Sequence, residues 1–100
     1  MGWASTHIAR LKAGETVSFR PKGTSMSGRV EDGQLVTVDP VDPAALEVGD
    51  VVLCSVNGRQ YLHLLKAIRK GQFQIGNNRN LVSGWTAAKN VYGRLVAVQD

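Results

Sequence analysis

The sequence contains little cysteine and little histidine, and these shortages exclude two kinds of structural site. The chain of 100 residues has one cysteine, Cys54, and two histidines, His7 and His63. One thiol cannot form a disulfide within the chain, and three such side chains cannot complete a four-ligand Cys/His zinc site. We therefore expect neither an internal disulfide nor a metal centre, and no motif indicates another cofactor.

Long apolar runs are also missing. The longest, such as residues 51–54, are far shorter than the about 20 residues that span a bilayer. The first residues contain no apolar core of the kind that a signal peptide carries. We therefore expect no membrane anchor and a cytoplasmic location, where a free thiol persists.

Aromatic residues make up 6% of the chain, too few for the stacking platforms that bind single-stranded nucleic acid. The net charge of +4 is unevenly distributed, because the segment 31–50 holds acidic residues and no basic one. These acidic residues are Glu31, Asp32, Asp39, Asp42, Glu47 and Asp50. We interpret the pattern as a basic surface with an acidic seam, which argues against a nucleic-acid interface.

Short β-prone segments alternate with turn residues along the chain. Turns recur about every eight to twelve positions, which is typical of all-β barrels and sandwiches. We predict a mostly β, compact, coiled β-barrel-like domain over residues 15–98 with one or two short helical turns. Asp42-Pro43 predicts one such turn, since Asp caps helices and Pro suits their first position. Residues 1–14 are predicted to be an N-terminal arm, either flexible or a short helix.

The dipeptide Asn57-Gly58 predicts a β-hairpin with a two-residue turn, for which Asn-Gly is the strongest short-range signal. Such a turn fixes the register of the two strands that it joins. A second hairpin is predicted at Lys70-Gly71. The predicted pairs of the first hairpin are Val52 with His63, Cys54 with Tyr61, and Val56 with Arg59.

Lys66 is out of place in this register. Alternation puts it on the same strand face as Leu62, Leu64 and Ile68, so its amine is predicted to point toward the core. Two readings are open. The strand can extend past the core so that the amine reaches water, or burial can hold the lysine neutral, as a general base requires.

A base needs a nucleophile, and Ser25 lies in a segment of small residues, Gly23-Thr24-Ser25-Met26-Ser27-Gly28. Glycine permits close backbone approach, so N–H groups near Ser25 can turn toward a developing oxyanion. Met26 is predicted to anchor the segment by packing. The alternative is a Ser/Gly-rich connector without chemistry.

Together these segments resemble the Ser/Lys peptidase superfamily, which includes LexA-type repressor catalytic domains, UmuD-type mutagenesis proteins and type I signal peptidases. The resemblance covers residues 15–98. It runs through Gly23-Thr24-Ser25-Met26, residues 33–38, residues 48–52 and Leu65-Lys66-Ala67-Ile68. It departs from the family at Gly28, where the serine box commonly has proline.

The resemblance implies a serine peptidase of the LexA and signal peptidase fold. Ser25 would be the nucleophile and Lys66 the general base, with Gly23, Thr24 and Met26 supporting the oxyanion and the loop. Ser83 would orient the lysine. The implied partner is a peptide or protein substrate, cleaved in trans or in cis at the small-residue pair Ala13-Gly14.

Three alternatives stay open beside this reading. The domain can be a catalytically weak or inactive member of the fold that binds a protein or nucleic acid as a regulatory module. Cys54 and His63 share a hairpin face and could form a Cys/His dyad, although their apolar neighbours favour a buried structural cysteine. The hydrophobic hairpin edge could pair with a second copy to form a homodimer.

Overall fold

A computed structural model describes residues 2–21, 26, 29–78 and 81–100 of the chain. The described residues form one α-helix, two short 3₁₀ turns and seven β-strands. The helix is α1 (Ser5–Lys12), and the 3₁₀ turns are Pro43–Ala45 and Ala88–Asn90. The strands are β1 (Val17–Phe19), β2 (Leu35–Pro40), β3 (Val51–Val56), β4 (Arg59–Arg69), β5 (Gln72–Gly76), β6 (Val82–Ala87) and β7 (Val91–Gln99).

The strands form one antiparallel sheet in the order β1-β2-β7-β3-β4-β5-β6. The mostly β prediction is therefore confirmed. The sheet of the described residues is open, with β1 and β6 at its two edges, so the predicted barrel-like closure is absent there. The sheet nevertheless coils, as twisted sheets do. As a result β6 returns against β3, where the Thr86 hydroxyl donates a 2.8 Å hydrogen bond to the Ser55 carbonyl.

Both predicted hairpins are present, and each turn has the positive φ angles that a tight two-residue connection requires. Asn57 and Gly58 have φ angles of 50° and 81°, and Lys70 and Gly71 have 48° and 76°. The register of the first hairpin is confirmed, with Val52 opposite His63, Cys54 opposite Tyr61, and Val56 opposite Arg59.

The predicted helical turn after Asp42 is confirmed as the 3₁₀ turn Pro43–Ala45. The Asp42 carboxylate accepts a 2.9 Å hydrogen bond from the Ala44 backbone N–H, the cap that its sequence position predicts. Of the two alternatives for the first residues, the short helix is the one observed. Ile8 and Leu11, three residues apart, bury one face of α1.

The core lies on both faces of the sheet, because β3 is central and its successive side chains point to opposite sides. The face of Val51 and Leu53 packs in a first cluster beneath α1. This cluster contains Ala4, Ile8, Leu11, Val17, Met26, Val30, Val36, Val38, Val51, Leu53 and Leu62. The opposite face packs in a second cluster of Leu46, Val52, Cys54, Val56, Leu65, Phe73, Ile75 and Val91.

Replacing Leu53 by alanine is expected to lower the free energy of unfolding by about 2–5 kcal/mol, because Leu53 is 0% exposed and the substitution leaves a cavity. Leu81→Ala is the matched control. Leu81 is 67% exposed, so its replacement should change stability by less than about 0.5 kcal/mol. Denaturant titration of both variants measures the difference, and equal losses would contradict the two-sided core.

Candidate functional site

Lys66 occupies a β-bulge on β4. Leu65 pairs with Ile75 and Ala67 pairs with Gln74, so β5 advances by one residue while β4 advances by two. Lys66 is the extra residue and has no partner in the ladder. The prediction of unbroken alternation through β4 is therefore wrong at this point. A bulge bends the strand and redirects the side chain that it carries.

The Lys66 side chain runs over Gly76 and ends on the backbone of Asn77. Its Nζ donates a 3.1 Å hydrogen bond to the Asn77 carbonyl, and the residue is half-buried. A Cβ on Gly76 would lie 2.6 Å from the lysine Cδ. Glycine at position 76 is therefore what lets the aliphatic stem cross the end of β5 and reach this carbonyl.

Asn77 is itself held firmly. It is 7% exposed, and its backbone N–H donates to the Leu81 carbonyl at 2.9 Å. In return the Leu81 N–H donates to the Asn77 side-chain oxygen at 3.1 Å. These two hydrogen bonds fix the position of Asn77, whose carbonyl accepts the hydrogen bond from Lys66. The amine is therefore positioned by backbone rather than by another mobile side chain.

Ser83, which the resemblance implies as the residue that orients the lysine, lies against a histidine. Its hydroxyl oxygen is 3.5 Å from His63 Nδ1, and the hydrogen bond that Lys66 Nζ donates goes to Asn77. Burial lowers the pKa of His63 below its ordinary value, which favours the neutral imidazole at neutral pH. The role of Ser83 toward Lys66 stays a prediction.

A cleft of about 780 Å³ opens between the N-terminal residues, the end of β1 and the first half of β4. Pro21 and Met26, the described residues on either side of positions 22–25, both line it. Met26 is also buried in the first core cluster. The lining comprises Trp3, His7, Phe19, Arg20, Pro21, Met26, Val30, Gln60, Tyr61, Leu62 and His63.

Three residues that the resemblance implies as catalytic or supporting, Gly23, Thr24 and Ser25, lie outside the described residues. Their roles as oxyanion support and nucleophile therefore stay predictions. Ser25 directly precedes Met26 in the chain, so a residue covalently bonded to Ser25 lines the cleft.

Aromatic rings line the cleft in two groups that sequence reasoning missed. Phe19 stacks on His7 with centroids 4.3 Å apart and meets Trp3 at 5.7 Å. On β4, Tyr61 stacks on His63 at 4.8 Å. The predicted hairpin register did put Tyr61 and His63 on one face of β4, although it did not identify them as part of a cleft. No local pattern indicated the first, because Phe19 lies on β1 and meets Trp3 and His7 only in the folded chain.

The alternative Cys/His dyad conflicts with the environment of Cys54. Its side chain is 0% exposed in the second core cluster, and burial raises the pKa of the thiol to about 12. A nucleophilic cysteine needs a thiolate in an accessible, electropositive setting. Cys54 is therefore a structural core residue.

The chain matches no protein-family model and no curated protein sequence. Its likeness to the Ser/Lys peptidases thus rests on the residues quoted above. In the described part of the chain, no helix has the length and apolar character needed to cross a membrane.

Gly76→Ala is expected to displace Lys66, because the added methyl group would overlap the Leu81 carbonyl oxygen and the lysine stem. We expect the unfolding free energy to fall by about 1–3 kcal/mol, as overpacking typically costs, and the Lys66 side-chain NMR signals to shift. Gly71→Ala serves as the control, since it strains a turn but adds its methyl group to open space. Unchanged Lys66 signals in Gly76→Ala would contradict the steric argument.

Cys54 should react very slowly with a thiol reagent in the folded protein. With its pKa raised to about 12, the thiolate is scarce at pH 8, and reaction must await opening of the core. Absorbance assays with an aromatic disulfide reagent should show rapid reaction only after denaturant is added. Fast reaction of the native protein would show that the thiol is accessible and would support the Cys54/His63 dyad.

Proposed function

We propose that the protein is a serine peptidase that cleaves peptide bonds with Ser25 as nucleophile and Lys66 as general base. The observation that carries the proposal is the setting of Lys66. The lysine stands in a bulge, crosses a glycine and donates to a fixed backbone carbonyl. Bulges are frequent beside active sites, where they redirect a side chain. A lysine that served only solubility would not require a fixed position of this kind.

The Asn77 carbonyl has a defined part in this chemistry. A neutral amine has two N–H groups and one lone pair, and the carbonyl can accept only from N–H. The 3.1 Å hydrogen bond therefore uses one N–H and leaves the lone pair free to accept a proton.

The proposed reaction proceeds through an acyl-enzyme. Lys66 takes the hydroxyl proton of Ser25 as the serine oxygen attacks the substrate carbonyl, while backbone N–H groups of the segment from Gly23 to Ser25 stabilise the oxyanion. The lysine then gives that proton to the departing amine as the C–N bond breaks. Water repeats the sequence on the ester, which releases the acid and restores Ser25.

The open edge of the sheet favours an extended peptide as substrate. Among the described residues β1 pairs with β2 alone, so one side of Val17–Phe19 offers backbone groups for strand addition. Phe19 at the end of this strand lines the cleft. A substrate strand laid along β1 would thus be directed toward the segment that contains Ser25.

Cleavage in trans fits the structure better than cleavage at the chain's own Ala13-Gly14. That pair forms the C-terminal turn of α1, where the Ala13 N–H donates to the Ala9 carbonyl at 3.2 Å and the Gly14 N–H to the Leu11 carbonyl at 3.0 Å. A peptidase binds its substrate extended, so this turn would have to open first. We therefore propose that the substrate is another polypeptide.

Substitutions of Lys66 test the proposal. Lys66→Ala and Ser25→Ala should each reduce cleavage of a fluorogenic peptide library at least about 100-fold, as loss of a general base or nucleophile does. Lys66→Arg should be equally inactive, because a guanidinium keeps the charge but cannot accept a proton at neutral pH. Labelling of Ser25 by a fluorophosphonate should fall in parallel.

Lys89→Ala is the matched control, since Lys89 is exposed in the second 3₁₀ turn and should leave activity unchanged. Full activity in Lys66→Arg would contradict a proton-accepting role and leave a purely electrostatic one. Equal signals from the unmodified chain and from Ser25→Ala would leave the non-catalytic binding module as the function.

A further inference from the structure

The N-terminal residues form part of the cleft, although they lie outside the segment 15–98 that resembles the peptidases. Trp3 and His7 both line it and both contact the ring of Phe19. Tyr61 of β4 adds a further ring to the same lining. The cleft therefore has an aromatic character to which α1 and the residues before it contribute directly.

Trp3 and His7 form an aromatic wall of the cleft, and hydrogen bonds to Gln60 hold this wall in place. The Trp3 indole N–H donates to the Gln60 carbonyl at 3.2 Å, and the Ala4 N–H donates to the Gln60 side-chain oxygen at 2.7 Å. The Gln60 amide in turn donates to the Ser5 hydroxyl at 3.3 Å. The start of α1 is thus fastened to β4, so the Trp3 ring is positioned before any ligand binds, which lowers the ordering cost of binding.

The charges around the cleft indicate what it can hold. Within the described residues the lining contains one permanent charge, Arg20, whose guanidinium donates to the Gly33 carbonyl at 2.6 Å, and no carboxylate. Burial lowers the pKa of His63, and burial together with the nearby Arg10 charge lowers that of His7. At neutral pH the cavity is therefore apolar and aromatic, with neutral imidazoles, and it disfavours cationic side chains.

We infer that this cleft is a specificity pocket that accepts a large apolar or aromatic side chain of the substrate peptide. Its volume lies within the range of ordinary ligand pockets, which is about 300–1,000 Å³. The edges and faces of its rings are available for aromatic packing. A peptide is the occupant because β1, which among the described residues pairs with β2 alone, leads into the cleft through Phe19. Because the pocket is assigned to the substrate, the inference rests on the proposed peptidase function. Trp3 and His7 are the specificity-determining residues of the pocket.

Binding and cleavage can be measured separately. The Lys66→Ala chain is titrated with capped peptides of alanine and threonine in which phenylalanine replaces alanine at each position in turn. The chain has two tryptophans, Trp3 and Trp85, so its ¹H–¹⁵N spectrum has two indole signals, which a Trp85→Phe variant assigns. We expect the best phenylalanine peptide to bind at least about tenfold tighter than the all-alanine peptide and to shift the Trp3 indole signal.

Variants of the wall identify its role. Trp3→Ala should remove most of the preference for phenylalanine, and Trp3→Phe should restore it, which separates loss of the ring from a general disturbance of the fold. Trp85→Ala is the matched control, because Trp85 lies on β6 and does not line the cleft. It should leave the preference unchanged.

The outcomes separate this inference from the peptidase proposal. Selective binding of the phenylalanine peptide without cleavage by the unmodified chain would support the pocket and refute the peptidase. Cleavage of phenylalanine and alanine peptides at equal rates would support the peptidase and overturn the pocket. The pocket is also overturned if no peptide shifts the Trp3 indole signal, or if capped phenylalanine amide alone shifts it as strongly as the peptides do.

Discussion

The structure depends on the burial of β3 on both of its faces. This strand lies at the centre of the sheet between β7 and β4, and its alternating side chains enter the two core clusters in turn. Because β3 contributes to both clusters, it connects α1, β1 and β2 on one side of the sheet with β5 on the other. The first half of β4 lines the cleft, and Lys66 lies at the β4–β5 boundary. Because β4 pairs with β3, both places are connected to this central strand.

The bulge at Lys66 shows how a local irregularity can position a single polar side chain in an otherwise regular sheet. One extra residue on β4 frees Lys66 from the ladder, and the missing side chain of Gly76 opens its route to the Asn77 carbonyl. The two features act together, since the bulge without the glycine would direct the stem into a steric overlap. The arrangement anchors the amine through backbone that the core already holds.

The cleft has a different origin. Its rings come from the residues around α1, from the end of β1 and from β4, which are far apart in the chain. Hydrogen bonds between Gln60 and the start of the helix hold the N-terminal residues against β4. In the proposed function, both reacting groups, Ser25 and Lys66, come from residues 15–98. The pocket combines residues of that segment with Trp3 and His7, which precede it.

The sequence by itself determined the features that depend on neighbouring residues. Asn57-Gly58 and Lys70-Gly71 specified both hairpins, Asp42 specified its cap, and the turn fixed the pairing of Cys54 with Tyr61. Tertiary structure alone decided the bulge at Lys66, the open sheet and the aromatic wall. Lys66 interrupts the apolar alternation of β4, but an interruption does not show whether the strand bulges or runs past the core. Rings distant in sequence meet only when the core forms, so the alternation of one strand does not reveal them.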